Sequence, residues 1–183
     1  MIQLLIFILS SISLIIISWT SLHHPNSHGF YRFFAWEAIL ALLIINVSKW
    51  FNNWLVWYQI ISWILLIACI VPLVFGVDSL RRRGQPNKEE RPDPQLMAFE
   101  RTTKLVTSGI YKYIRHPLYS SLLLLAWGAF FKAPSQTGIT LVLIATLFLN
   151  ATAKADEAEC LQTFGKDYQE YMRQSKMFIP YVL

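Results

Sequence analysis

At 183 residues the chain is about the size of one domain, but 55% of it is apolar and only 15% is charged, against roughly a quarter charged in soluble domains. The charges cluster between long uncharged runs, which excludes an ordinary soluble core and indicates a bilayer protein. The net charge of +5 comes with no basic-aromatic module, so it reads as membrane topology and contact with anionic membrane lipids rather than nucleic-acid binding.

The first uncharged run covers residues 2–19. It lacks a basic start, and His23, His24 and Pro25 do not form a small-residue cleavage site, so a retained anchor is expected. His24 and His28 are four apart and can share a helix face as metal ligands. No helix pattern or third ligand accompanies them, and no metal is expected. Residues 33–48 carry one carboxylate, Glu37, and reach spanning length when 30–50 are counted. An intramembrane acid is a functional candidate by default, but nearby Arg32 is the expected partner that makes Glu37 structural. Residues 54–77 form a third run. Its Trp54, Trp57 and Trp63 read as an interfacial anchor and packing surface. Cys69, in this run, and Cys160 make no disulfide framework and read as packing residues.

The chain divides near residue 78. A polar loop follows, Gly84-Gln85-Pro86-Asn87-Lys88-Glu89-Glu90-Arg91-Pro92-Asp93-Pro94, punctuated by glycine and proline. Residues 117–131 are uncharged but short, and 133–153 are uncharged again, with a tight turn around Lys132-Ala133-Pro134-Ser135. A spanning helix needs about 20 apolar residues, because lipid offers its backbone no partners. The short fourth span implies tilt or local thinning of the bilayer. Residues 154–176 read as an amphipathic helix with Glu157, Leu161, Phe164, Tyr168 and Tyr171 on one face, Asp156 and Glu159 off it, and Gly165 as a candidate break. Phe178-Ile179-Pro180-Tyr181 should end it. The expected fold is therefore all-α, a polytopic membrane protein of about five transmembrane helices with a C-terminal amphipathic helix. Three of those helices lie in residues 1–77.

Charge orients it. Arg81, Arg82, Arg83, Lys88, Arg91, Arg101, Lys104, Lys112 and Arg115 crowd one loop, the mark of a cytoplasmic side. With five spans, the tail bearing Lys154, Lys166, Arg173 and Lys176 shares that side. Lys49 and Lys132 face the other, and the N-terminus lies outside.

Two polar clusters meet the cytoplasmic edge: Tyr111, Tyr113, Arg115, His116 and Tyr119, and Asp156, Glu157 and Glu159. Pro117 suits the first turn of a helix, which would put Arg115 and His116 at a positive dipole end. A zwitterionic amino-acid group suits such clusters, and tyrosine faces attract a sulfonium. Snorkelling cations, belt tyrosines and solvated acids account for the same residues without a ligand.

Gly109-Ile110-Tyr111-Lys112-Tyr113-Ile114-Arg115-His116-Pro117-Leu118-Tyr119 resembles the Gly-x-Tyr-Arg-Tyr-x-Arg-His-Pro-x-Tyr signature of the isoprenylcysteine carboxyl methyltransferase and phospholipid methyltransferase superfamily. Asp156-Glu157, then Phe164-Gly165-Lys166-Asp167-Tyr168-Gln169-Glu170-Tyr171, then Ile179-Pro180, resembles its second motif. The resemblance covers about residues 80–183. It implies that residues 78–183 are a catalytic half binding S-adenosylmethionine and open to the cytoplasm, with a hydrophobic or lipidated methyl acceptor arriving from the bilayer. Carried onto this chain, His116, Tyr119 and Glu157 are the expected cofactor contacts, with Arg115, Pro117, Tyr111 and Tyr113 shaping the mouth. Ser121 replaces a frequent Gly, Asp156 a usual Glu, and Cys160 a usual Leu. These changes bear on pocket shape and acceptor. The seven glycines form no Gly-rich nucleotide loop, so side chains and helix ends must hold any cofactor.

Methyl transfer from a sulfonium depends mainly on alignment, for which positioning contributes about 7–11 kcal/mol. A carboxylate or thiolate acceptor cancels charge in the transition state, whereas a thiol or amine must also lose a proton. His116 and Glu157 can assist that loss, but cofactor contacts compete for both, and the residues assign no general base. Candidate acceptors are an isoprenylcysteine carboxylate, a phospholipid amine, a hydrophobic small molecule and a small thiol. The alternative is a non-catalytic membrane scaffold, against which intact His116 and Glu157 argue. A small transporter lacks the expected repeats.

Overall fold

The computed structural model describes residues 1–91 and 96–180. Pro92, Asp93 and Pro94 of the polar loop and Tyr181 of the tail lie outside the described residues. Among the described residues there are helices and two isolated bridges but no strand.

Helix α1 is Ile2–Ile17, followed by the single turn α2, Trp19–Leu22. Most of the large apolar side chains of α1 are exposed, as expected of a surface facing lipid rather than water. Helix α3, His28–Asn46, starts earlier than periodicity suggests. Ser27 caps it, its Oγ accepting from Phe30 N at 3.1 Å. His28 is thereby the first helical residue instead of a loop residue.

The third apolar run is two nearly continuous helices, α4 (Trp57–Ala68) and α5 (Ile70–Arg83). The break at Cys69 falls just before Pro72, which cannot donate to the Ala68 carbonyl and crowds it. Trp54 and Trp57 are exposed, while Trp63 packs on Trp50.

Helix α6, Pro117–Phe130, is 14 residues long, about 21 Å at 1.5 Å per residue. Helix α7, Gln136–Phe164, runs for 29 residues. The fifth apolar run and the first part of the expected tail helix are thus one continuous rod. Gly165, at φ +56°, ends it, and α8 (Lys166–Gln174) sets off in a new direction. Among the described residues, three helical segments are long and apolar enough to cross a membrane: His28–Lys49, Trp57–Arg83 and Gln136–Phe164. Ile2–Ile17 and Pro117–Phe130 are shorter apolar helices.

The core lies where α3, α6 and α7 meet. Ala35, Ala38, Ala126, Ala129, Ala145 and Ala153 are buried there beside Leu42, Val142 and Leu149. Small side chains let the helices approach closely. The last carbonyls of α6 lack partners within their own helix, and neighbouring side chains supply them. Ser62 Oγ donates to Gly128 O at 2.7 Å, and Asn46 Nδ2 to Ala129 O at 2.9 Å. At this same end Lys132 is buried, with Nζ 3.5 Å from the centre of the Trp63 ring. The start of α3, the end of α5, the start of α6 and the end of α7 gather at the opposite end, where the site is built.

Candidate functional site

The segment before α6 is drawn against the tail by backbone pairing. Lys176 N donates to Tyr113 O at 3.0 Å, Arg115 N to Lys176 O at 2.7 Å and His116 N to Met177 O at 3.1 Å. Tyr171 Oη donates to Tyr111 O at 2.6 Å, and Ser120 Oγ to Phe178 O at 2.8 Å. Two stretches some sixty residues apart in sequence thereby become one wall. Pro117 opens α6 as its sequence position suggests.

Behind this wall sits a buried charge cluster. Arg115 Nε donates to Glu157 Oε1 at 2.7 Å, and its Nη1 donates to the carbonyls of Met172 and Ser175. His116 is 4% exposed. Its Nε2 lies 3.2 Å from Glu157 Oε1 and its Nδ1 3.4 Å from Asp156 Oδ2. A ring with carboxylates at both nitrogens satisfies both by donating twice, as the imidazolium. Burial would lower the His116 pKa, but the hydrogen bonds and charges of Asp156 and Glu157 outweigh it and raise it above 6.5. The Tyr119 ring stacks on His116 at 5.4 Å. Burial pushes the Tyr111 hydroxyl well above its ordinary pKa, and those of Tyr168 and Tyr171 likewise, so all three stay neutral.

A cavity of about 700 Å³, counted out to its mouth, opens in front of this cluster. Its free interior is about 90 Å³ and the rest is open mouth, so the enclosed part is smaller than the roughly 300–1,000 Å³ of typical small-molecule sites. Tyr111, Arg115, His116, Pro117 and Tyr119 line it. Tyr113 does not; it is 45% exposed and borders a neighbouring, almost wholly apolar groove. Glu157 stands behind His116 and Arg115, while Asp156 faces the cavity.

The sequence-based helical face needs correction here. Asp156 and Glu159, placed off the inward stripe, turn toward the site, Asp156 to the cavity and Glu159 to His28, and Leu161 is exposed at 38%. A stripe continued through Gly165 takes its phase from Tyr168 and Tyr171, which belong to α8, and so misses the inward face of α7. Cys160 borders the cavity with Asp156, which is more than a packing position.

Other residues come from parts of the chain that local spacing cannot connect. Arg32 does not take Glu37 as its partner. Its Nη1 donates to Glu100 Oε1 and Oε2 at 3.0 and 3.1 Å, tying the loop before α6 to α3. Glu37 Oε2 accepts from Ser11 at 2.8 Å instead. His24 Nδ1 bonds Thr20 O and does not join His28. The His28 ring turns to α7, with Nδ1 2.5 Å from Glu159 Oε2. His28, Asp156 and Glu159 bring one potential ligand atom each within 4.8 Å of one another. The short His28–Glu159 bond shows that a proton already links two of them. Arg91 and Glu100 complete the charged lining.

The chain carries positive and negative side chains, neutral phenols and aromatic faces around one cavity. That donor set fits an amino-acid zwitterion attached to a sulfonium.

Comparison with known proteins converges on the same stretch. Residues 95–167 match the phospholipid methyltransferase family. A methanethiol S-methyltransferase of Crocosphaera subtropica is 31% identical over 81 residues, which are 43% of this chain and 30% of that protein. A probable protein-S-isoprenylcysteine O-methyltransferase of Oryza sativa subsp. indica is 30% identical over 86 residues, 46% of this chain and 44% of the relative. The protein-S-isoprenylcysteine O-methyltransferase of Dictyostelium discoideum is 24% identical over 179 residues, 88% of this chain and 70% of its own length. The first two matches span less than half of those relatives. No solved structure matches significantly.

Proposed function

Taking as premise that the chain is a multi-pass membrane member of the isoprenylcysteine and phospholipid methyltransferase superfamily, we propose that it transfers a methyl group from S-adenosylmethionine to a lipid-like or hydrophobic acceptor. The observation that carries this reading is the convergence of both motif segments on one cavity whose lining suits a zwitterionic sulfonium. Asp156 would hold the cofactor's ammonium. His116 and Arg91 would favour its carboxylate, and Tyr111 and Tyr119 would face the sulfonium. When bound, the cofactor supplies an electrophilic methyl group. Asp156 and Glu157 keep His116 charged, Arg115 holds Glu157 in place, and the buried wall excludes water from the reacting centre.

The apolar groove supports an acceptor that arrives from the bilayer. Leu65, Val71, Leu123, Trp127 and Phe178 line it together with Tyr113, Ile114 and Ser120, which adjoin Arg115 and Tyr119 in sequence. In the membrane the shorter apolar helices complete five spans. The arginine-rich end of α5 and the cavity then face the cytoplasm, and the N-terminus lies outside. The test is transfer of radiolabelled methyl from S-adenosylmethionine to a panel of alkanethiols, prenylcysteine carboxylates and phospholipid amines, with Asp156→Asn beside wild type. Transfer to at least one class, lost in Asp156→Asn, is expected. Incorporation equal in both proteins would remove the cavity from the reaction.

A further inference from the structure

We propose that His28 is the general base of this site and that the acceptor is a thiol, an inference that rests on the methyltransferase reading above. His28 borders the cavity and is 1% exposed. One carboxylate holds it twice: Glu159 Oε1 accepts from the His28 backbone N–H at 2.9 Å, and Oε2 lies 2.5 Å from Nδ1. Such a grip fixes the ring and places its proton on Nδ1. Nε2 is left with its lone pair, buried and with no hydrogen-bond partner among the described residues. An orphaned buried polar atom costs about 1–3 kcal/mol. A purely structural tie between α3 and α7 needs only the Nδ1 side, which the shorter Asn supplies as well. A carboxylate-held imidazole with a free Nε2 is the arrangement that activates hydroxyl and thiol nucleophiles.

The groups around the ring support this use. Asp156 and Glu159 on α7 each bring a carboxylate oxygen within 4.8 Å of a His28 ring nitrogen, and the cation Arg32 lies one turn along α3. Glu159 is 29% exposed, so a proton collected at Nε2 can leave toward water from the other side of the ring. The acceptor S–H proton passes to Nε2, and the freed sulfur pair forms the new bond to methyl. The electron pair of the methyl's former bond stays on the donor, which leaves as a neutral thioether. A histidine base matches a thiol, whose pKa is near 8.5, better than an ammonium near 10.4. A carboxylate acceptor needs no base at all.

His28→Asn keeps a donor for Glu159 and removes the base. The test uses the full chain in detergent, with an alkanethiol as acceptor and S-adenosylhomocysteine as calorimetric probe. At neutral pH the variant should lose about 10²–10⁴-fold in kcat/KM, with the deficit closing as pH approaches the thiol's own pKa. Affinity for S-adenosylhomocysteine should change by less than about threefold. Independently of turnover, ¹⁵N spectra of wild-type histidines should show His28 protonated at Nδ1 and bare at Nε2 at pH 8. A variant as fast as wild type, a deficit equal at all pH values, or an Nε2–H tautomer would overturn the assignment. If His28→Asn does not fold, the wild-type tautomer still decides. Thiol transfer that survives in the variant sinks only the base, whereas failure of wild type to bind S-adenosylhomocysteine sinks the methyltransferase reading and the base with it.

Discussion

Replacing Glu157 by Gln removes one of two negative charges from a buried group of four: Arg115, His116, Asp156 and Glu157. Arg115 and Glu157 are each 10% exposed in their side chains, so water screens little of the loss. Breaking a buried pair on one side costs about 3–5 kcal/mol when the surviving charge has no relief. Here there are two reliefs. Arg115 retains the carbonyls of Met172 and Ser175, and His116 can shed its proton. The expected destabilisation is therefore about 2 kcal/mol, or about 4–8 °C in Tm for a chain of this size. The cost should also depend on pH. The His116 pKa is raised above 6.5 in the folded state, so its stabilising contribution is complete below 6.5 and is lost as pH rises through the folded value. Thermal unfolding of detergent-solubilised wild type and Glu157→Gln across pH 5.5–9 should show the gap narrowing as pH increases. NMR titration should place the His116 pKa lower in the variant. A Tm within about 1 °C of wild type throughout, or an unmoved His116 pKa, would refute the charge-balance argument.

Two further outcomes follow from the fold. Arg32→Met leaves the Glu100 carboxylate without the guanidinium that meets both its oxygens. It should destabilise by about 3–5 kcal/mol and make limited proteolysis within residues 96–106 faster than elsewhere, and an unchanged cleavage pattern would show the ion pair to be incidental. Gly165→Ala places a Cβ where no atom lies within 4 Å but φ is +56°, so its cost is backbone strain of about 1–3 kcal/mol. Tm should fall accordingly, and a Tm equal to wild type would mean that the turn between α7 and α8 tolerates a side chain.

The helices were readable wherever an uncharged run was long enough, because lipid enforces an all-helical backbone. Their ends were less so. Cys69 marks a break that Pro72 causes four residues after Ala68, and Ser27 starts α3 before its apolar stretch begins. Within the site, His116, Tyr119, Arg115 and Pro117 were visible because they fall within eleven consecutive residues. Asp156 was visible as a charge but assigned to the wrong face, since Gly165 resets the direction between α7 and α8. Arg32–Glu100 and His28–Glu159 join residues 68 and 131 positions apart, and nothing in local spacing announces them. The one available signal was that His28 and Arg32 are ionisable residues at the edge of an apolar helix, where such groups need partners. The acid nearest Arg32 in sequence is Glu37, but Glu37 meets Ser11 and Arg32 meets Glu100.

Calorimetry of S-adenosylmethionine binding to the detergent-purified protein, with Asp156→Asn and His116→Ala alongside, reads out the proposed cofactor site without needing the acceptor. A single site of micromolar-range affinity that both substitutions weaken by about tenfold or more is expected. A folded wild-type protein that takes up no S-adenosylmethionine would contradict it.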